Sequence, residues 1–376
     1  MDTEEKLHTA LAILTEGKYF TREDFPEDSE DPRPTKREWQ DIEAWQKSEK
    51  LTNWTHSLAV SGFGIGVLRA SPTNKPVLSL RVYTENGCDL KPPQDITIPH
   101  FDTFTIEKVE IGKCVPTSSE SEKIVPGGGC KITVRNWGGT LGYFVGKNDN
   151  DRDTFLLSNC HVIANNGIVN GQSDLAIFQG DYSSSNSDDE VAQLSNWVPL
   201  KFCDDPNNYQ NLVDAAIGKI YPCLGLRYDI PHIADSENPI KGFRKPERGS
   251  MVRKYGYGSG LSCGEIVDVD FMTSSEFFTD KDEFSMRRVG FKKQILCVPR
   301  PCPNEPPSPG EPFTVKGDSG AVVVDEDNYI VGLNWGGTGE VSADGSLDDK
   351  NEINGVANNI VNVFDKLKLD RVITGN

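Results

Sequence analysis

Three kinds of hydrophobic pattern follow one another along the chain. Over the first fifty residues the apolar positions recur at helical spacing in two stretches, one around Leu11 to Leu14 and one in which Trp39, Ile42 and Trp45 share a face. Between them, Glu23-Asp24-Phe25-Pro26-Glu27-Asp28-Ser29-Glu30-Asp31-Pro32 concentrates charge and proline and breaks any single helix. From about residue 54 the period changes. Gly62 to Leu68, Val77 to Tyr83 and Phe104 to Glu110 read as strands, the last two alternating apolar with polar as half-buried strands do. Ser118-Ser119-Glu120-Ser121-Glu122 and Gly127-Gly128-Gly129 then mark a joint.

After Cys130 short strands alternate with turn residues: Thr140 to Val145, Thr154 to Ser158, Val213 to Ile220, Met251 to Tyr255, Glu265 to Val269, Gln294 to Val298, Ala321 to Val324 and Tyr329 to Leu333. The last element, Val356 to Leu367, reads as a helix with Ile360, Val361, Phe364 and Leu367 as its apolar stripe. The pattern therefore predicts a mainly β chain. Its parts are an N-terminal helical segment over 1–53, a small α+β domain over 54–118, a linker over 119–129 and a β body over 130–376 with a C-terminal helix over about 356–368.

Composition narrows the function. A formal net charge of −18 disfavours nucleic acid or an anionic membrane surface as the main partner. No window approaches a membrane span, and Met1-Asp2-Thr3-Glu4-Glu5 does not resemble a secretory signal, so the expected location is the cytoplasm. The nine cysteines include no pair at the two-residue spacing of redox or zinc sites, so reduced thiols are expected. Cys297 and Cys302, bracketing a proline-rich turn, would be the pair to bridge in an oxidising compartment.

The sharpest local signal is Gly317-Asp318-Ser319-Gly320 followed by Ala321-Val322-Val323-Val324. Acyl transfer to serine needs a hydroxyl on a tight turn with backbone N–H groups facing the developing oxyanion, and flanking glycines supply the backbone angles and the room. Alone, such a tetrapeptide also occurs as a plain turn, which is the lesser reading here. Leu156-Leu157-Ser158-Asn159-Cys160-His161 adds a histidine at the end of a strand; of the other histidines, His8 falls in the first helix, His56 and His100 in the second region and His232 in a loop. Asn211-Leu212-Val213-Asp214-Ala215-Ala216-Ile217 places a carboxylate inside an apolar stretch, where only a partner makes burial affordable. Asp174, in a polar loop, and Asp318, in the serine turn, are its rivals. A cysteine hydrolase using Cys160 beside His161 is disfavoured, because adjacent strand residues point to opposite faces.

The order His161, Asp214, Ser319 is that of the chymotrypsin arrangement. Together with Asn334-Trp335-Gly336-Gly337 after the next strand, these motifs resemble trypsin-like serine proteases over roughly residues 130 to 370. The nearest likeness is to the intracellular group related to the plant narrow-leaf regulator and its microbial relatives. It is carried by Gly139-Thr140-Leu141-Gly142, by Met251 to Gly256 with Ser259-Gly260-Leu261-Ser262-Cys263-Gly264, and by Gly355 to Ile360; the first fifty or so residues have no counterpart in that group.

The resemblance implies two six-stranded antiparallel β-barrels of the chymotrypsin type, at about 130–235 and 240–345, with a cleft between them and no metal or organic cofactor. It implies protein or peptide substrates, an oxyanion hole from the N–H groups of Gly317 and Ser319, and a substrate wall of Asn334, Trp335 and Gly336. The residue six before the serine, at the floor of the primary pocket in relatives, is Phe313, so a small or apolar residue is expected there and not Lys or Arg. Lys123-Ile124-Val125-Pro126-Gly127-Gly128 resembles a zymogen activation site whose new amino terminus would pair with Asp318, although Pro126 replaces the usual glycine. Pro299 to Pro312 reads as an exposed excursion at the cleft rim. Two functions remain open at this level: an endopeptidase with restricted regulatory substrates, its N-terminal region serving a regulatory partner, or a protease-fold binding protein with a blocked cleft.

Overall fold

The computed structural model describes residues 3–14, 35, 38–46, 60–67, 78–84, 90–110, 113–116, 126–134, 137–147, 153–167, 176–180, 189–203, 205, 208–221, 224–278, 286–303, 312–339 and 354–374. Upstream lie α1 (Thr3–Leu14), α2 (Trp39–Gln46), β1 (Val60–Val67), β2 (Leu78–Thr84), β3 (Asp95–Thr97), β4 (Thr103–Glu110) and β5 (Lys113–Pro116). Next come β6 (Lys131–Val134), β7 (Trp137–Thr140), β8 (Tyr143–Gly146), β9 (Phe155–Ser158), the single turn α3 (Cys160–Ile163), β10 (Ala176–Gln179), β11 (Glu190–Trp197) and β12 (Ala216–Ile220). The chain ends with β13 (Gly242–Phe243), β14 (Met251–Gly256), β15 (Gly260–Phe278), β16 (Met286–Pro299), β17 (Val322–Asp325), β18 (Tyr329–Gly339), β19 (Asn354–Asn359), α4 (Ile360–Leu367) and β20 (Arg371–Val372).

The chain is mainly β, in two sheets, with a short C-terminal helix, as its alternating pattern requires. In the first sheet β8, β9, β12, β11, β10, β6 and β7 follow in order. β7 runs into β8 through Leu141 and Gly142, whose amides bond Cys130 O and Leu157 O on either side, so the two act as one bent strand and the sheet closes on itself. In the second sheet β14, β17, β18, β19, β16 and β15 form a ring, closed by the β14–β15 pairing and antiparallel throughout. Tyr143, Val145 and Leu157 of the first body pack with Val322, Val324 and Leu333 of the second in one apolar cluster, which joins the two.

β19 corrects the expected boundaries: the sixth strand of the second ring lies beyond residue 345, in the stretch read as the start of the closing helix. The helix begins at Ile360 because the Asn359 side chain accepts from the Val361 amide, an N-cap that stops helical winding further upstream. Its buried stripe is Ile360, Val363, Phe364 and Leu367, and Val361 is exposed, as the later start dictates.

The upstream part is continuous with the second ring. β15 and β16 run well past the expected Glu265–Val269 and Gln294–Val298, and their far end takes β1 as a further antiparallel strand, with Gly62 opposite Thr273 and Phe63 opposite Met272. β2 pairs with β1 and lies parallel to β4. α1 and α2 cover this extension: Leu7, Leu11, Leu14 and Ile42 share a core with Ile65, Val82 and Ile106, and also with Tyr209 and Met272 of the β body. Trp45 packs at its margin, whereas the side chain of Trp39 lies outside the described residues.

One cysteine expectation is overturned. Cys302 is disulfide-bonded to Cys263, not to Cys297, and these two thiols are not reduced. Cys297 is a buried free thiol whose pKa burial pushes up to about 12. Its β16 position points into the core beside Ile266, Ile295 and Val323, away from the turn that carries Cys302. Among the described residues no helix is long and apolar enough to cross a membrane, and no cluster of three or more His, Cys, Asp or Glu could hold a metal.

Candidate active site

Register in the first barrel brings a histidine and an acid together. β9 and β12 are antiparallel with Ser158 opposite Ala216, so two residues back from Ala216 faces the chain just past Ser158. His161 lies there in α3, and its Nδ1 meets Asp214 Oδ2 in a short hydrogen bond. The His161 amide donates to Asp214 Oδ1 at 3.1 Å, so the carboxylate grips both the ring and the backbone. Asp214 is fully buried, while the His161 side chain keeps 12% exposure. Such a geometry leaves Nε2 as the ring nitrogen able to serve a reacting group.

The acid's backbone is fixed in turn. Asn358 of β19 accepts from the Asp214 amide at 2.8 Å and donates to its carbonyl at 2.9 Å. Asn159 donates to the same carbonyl at 2.7 Å. Asn358 belongs to the second barrel, so Asp214 is held from both sides of the barrel interface.

Ser319 sits in a turn with Gly317 at φ 113° and Gly320 at φ 97°, both in the left-handed region that favours glycine. The turn is anchored to the first barrel by Thr140, whose amide donates to Ser319 O at 2.7 Å and whose hydroxyl donates to Gly317 O at 2.7 Å. It also lies against the histidine-bearing segment: a Cβ at Gly320 would meet Ser158 Oγ at 2.3 Å, and one at Gly139 would meet both Ser319 O and Val162. The Ser319 hydroxyl donates to Trp335 O at 3.0 Å, and the residue is fully buried. Phe277 links the two halves, its ring 5.6 Å from that of His161 and 6.1 Å from that of Trp335.

Asp318 is saturated in the uncleaved chain. Its Oδ1 accepts from the Gly258 and Ser259 amides, and its Oδ2 accepts from the Val315 amide and from Lys254 Nζ at 2.5 Å. The place expected for a new amino terminus is therefore occupied by a lysine ammonium. Lys123 and Ile124 lie outside the described residues, as does Asp174.

The expected substrate wall divides. Trp335 is fully buried, its ring 4.5 Å from that of Phe291 and its Nε1 donating to Gln294 Oε1 at 2.9 Å. Asn334 donates to Thr314 Oγ1 and to Asp318 O, bracing the Ser319 turn from below. Gly336 pairs with Val356 on one edge of β18 and with Pro116 on the other. Phe313 is fully buried against Gly264 and Gly355, where an added Cβ would meet its ring at 2.7 and 2.2 Å. It is a packed core residue. Residues 304–311 of the proline-rich excursion lie outside the described residues.

Rival groups are placed elsewhere. His8 faces Asp270 at 3.4 Å, His100 bonds Asp41 at 2.7 Å, and His232 stacks on Tyr255; His56 lies outside the described residues. Cys160 does not lie on a strand as expected but in α3, and what removes it as a nucleophile is burial, which with the nearby Asp214 charge raises its pKa well above the usual thiol value.

Sequence reasoning assigns no role to Asn159, Asn358 or Lys254. Lys254 carries a readable signal: Val252, Lys254 and Gly256 alternate inward on β14, and an inward cation in a barrel strand requires a buried acid.

No protein-family model matches the chain, and no curated protein matches it in sequence. Some solved structures are similar. Thermobifida fusca Protease A is 13% identical, over 66% of this chain and 99% of its own, with a TM-score of 0.41. Cellulomonas bogoriensis chymotrypsin is 15% identical, over 66% and 99%, with a TM-score of 0.39. A glutamic acid-specific serine protease that uses a histidine triad in substrate binding is 11% identical, over 66% and 100%, with a TM-score of 0.43.

Proposed function

We propose that the chain is a serine endopeptidase in which Ser319 attacks a peptide carbonyl, His161 takes its proton and Asp214 orients the imidazole. The observation that carries this reading is the two-point hold of Asp214 on His161, ring and backbone, beside a Gly-Asp-Ser-Gly turn braced against the same segment. In the attack the Ser319 hydroxyl leaves Trp335 O and gives its proton to His161 Nε2 as the bond to carbon forms. Asp214 stabilises the resulting imidazolium, and the Gly317 and Ser319 amides receive the oxyanion. His161 then protonates the leaving amine, and water repeats the cycle on the acyl-enzyme.

Protein substrates, a restricted set of them, kinship with the intracellular narrow-leaf-related group and a preference other than Lys or Arg belong to the same proposal. No cofactor enters it. The Cys263–Cys302 bridge fits an oxidising compartment better than the cytoplasm expected from sequence. A second reading, a binding protein with a closed cleft, is favoured by one observation: Ser319 is fully buried with its hydroxyl engaged by Trp335. A fluorophosphonate probe separates them. Labelling of the wild type and not of Ser319→Ala supports the peptidase, and a folded wild type that resists labelling supports the binding protein.

A further inference from the structure

β18 has two edges, and their occupants can be read off the register. One edge is β19 from Gly332 to Thr338. The other carries β17 from Ile330 to Leu333, so β17 and β19 lie on opposite sides. On the β17 side the next position belongs to the nucleophile turn: Asn334 N donates to Ala321 O and Gly320 N to Asn334 O, both at 2.8 Å, and Trp335 O takes the Ser319 hydroxyl. From Gly336 to Gly339 the partner is β5, with Gly336 opposite Pro116, Gly337 opposite Val115, Thr338 opposite Cys114 and Gly339 opposite Lys113. Since β19 holds the other edge at Gly336 to Thr338, β5 extends the row that begins with β17 and passes through Ser319.

We propose that β5 is an autoinhibitory strand: it fills the edge of β18 beside Ser319 on which an extended polypeptide substrate would pair, and a substrate binds by replacing it. The proposal rests on the peptidase reading above and adds its regulation. Polarity supports it. In acyl transfer from a peptide, the half that acylates the serine lies on the amino side of the broken bond, so a bound strand must turn its carboxyl end to the nucleophile. β5 is antiparallel to β18 and has Pro116, its carboxyl end, at Gly336, next to Trp335.

The chemistry of the edge supports it as well. Three of its four positions are glycine, so β5 is held by backbone pairing that any extended peptide can reproduce. Pro116 brings no N–H to the ladder, and β5 is only four residues long, which makes it displaceable. Only residues 111 and 112 separate it from β4, so the upstream sheet keeps it in place at an effective concentration on the order of mM. A free peptide must compete with that.

The test uses the full chain and two probes. A small fluorophosphonate reports on Ser319 without needing the β18 edge, and denatured casein needs both. Wild type is compared with a variant combining Lys113→Gly, Cys114→Ser, Val115→Gly and Pro116→Ser, and with the single change Val115→Pro, which removes one strand N–H and keeps the rest of the segment. The expected result is a rise of about 10-fold or more in kcat/KM for casein, mostly through KM, with the labelling rate changed less than about two-fold. Casein cleavage that stays level or falls in the folded variants, with labelling intact, overturns the autoinhibitory strand and leaves the peptidase reading standing. Absence of labelling in folded wild type and variants alike overturns the peptidase reading, and the proposal with it.

Discussion

Lys254 and Asp318 form an ion pair from which water is excluded: Nζ lies 2.5 Å from Oδ2, and neither side chain is exposed. Burial pulls the lysine pKa down from its usual value, and the adjacent carboxylate opposes that shift. Lys254→Met would strip the buried Asp318 carboxylate of its counter-charge, leaving it three amides, one residue before Ser319, with an expected loss of about 3–5 kcal/mol in urea unfolding and loss of fluorophosphonate labelling. Because the ammonium is internal, we also expect amino-terminal sequencing of active material to find no new terminus at Ile124.

Asp214 is expected to act through the tautomer and charge of His161, as its two bonds to that residue imply. Asp214→Asn should lower kcat by about 10⁴-fold while the fold persists. Asn358→Ala removes the acceptor for the Asp214 amide and one donor to its carbonyl, at about 1–3 kcal/mol for the buried groups left unpaired. Peptide turnover measured beside urea midpoints separates the two effects. A turnover loss in Asp214→Asn no larger than that in Asn358→Ala would remove Asp214 from the catalytic assignment.

Asp268 gives a pH signature at the junction of the upstream sheet with β15. It is fully buried, accepts from the Tyr83 hydroxyl at 2.8 Å, and would clash with any side chain at Gly64. Burial, only partly offset by the Asp270 amide and Tyr83, raises its pKa from 3.8 to about 7. Between those values the folded state holds a proton that the unfolded chain has released. Its contribution to stability therefore falls as pH rises from about 4 to 7 and is level above that. Asp268→Asn keeps the acceptor for Tyr83 and removes the charge. The variant should gain on wild type in urea midpoint at pH 8 and not at pH 4, and a constant difference would refute the assignment.

The candidate residues are legible in the chain because their signals are local, and of their contacts the structure adds the His161–Asp214 pair. The Gly317 to Gly320 turn, the histidine after an apolar strand and the acid in an apolar run each carry their own signal, and their order does the rest. What the sequence hides depends on register. β19 is written in Gly355-Val356-Ala357-Asn358, a stretch that periodicity alone cannot separate from the helix after it; only pairing with β16 and β18 makes it a strand. β5 is four residues in a region read as the upstream domain, and nothing in Lys113-Cys114-Val115-Pro116 announces a partner more than two hundred residues away. Cys263 likewise finds Cys302 through the β15–β16 hairpin, where Gly264 faces Pro299.

Phe313 tests what the closed core beside the Ser319 turn does. The residue is fully buried, lies under Gly355 of β19, and has the Lys254 ammonium 5.4 Å from its ring centroid. Gly355 pairs with Gly337 of β18, one residue past the expected substrate wall. Truncation to Phe313→Ala should cost about 3–5 kcal/mol in urea unfolding from lost contacts and the cavity left behind. If the ring also sets the depth available to a substrate side chain, that cavity should admit larger residues on the amino side of the broken bond. Cleavage profiles of a peptide library, compared between wild type and Phe313→Ala at a temperature where both are folded, would then shift towards bulkier apolar residues. An unchanged profile accompanying the stability loss would assign Phe313 to packing alone and move the pocket floor to another residue.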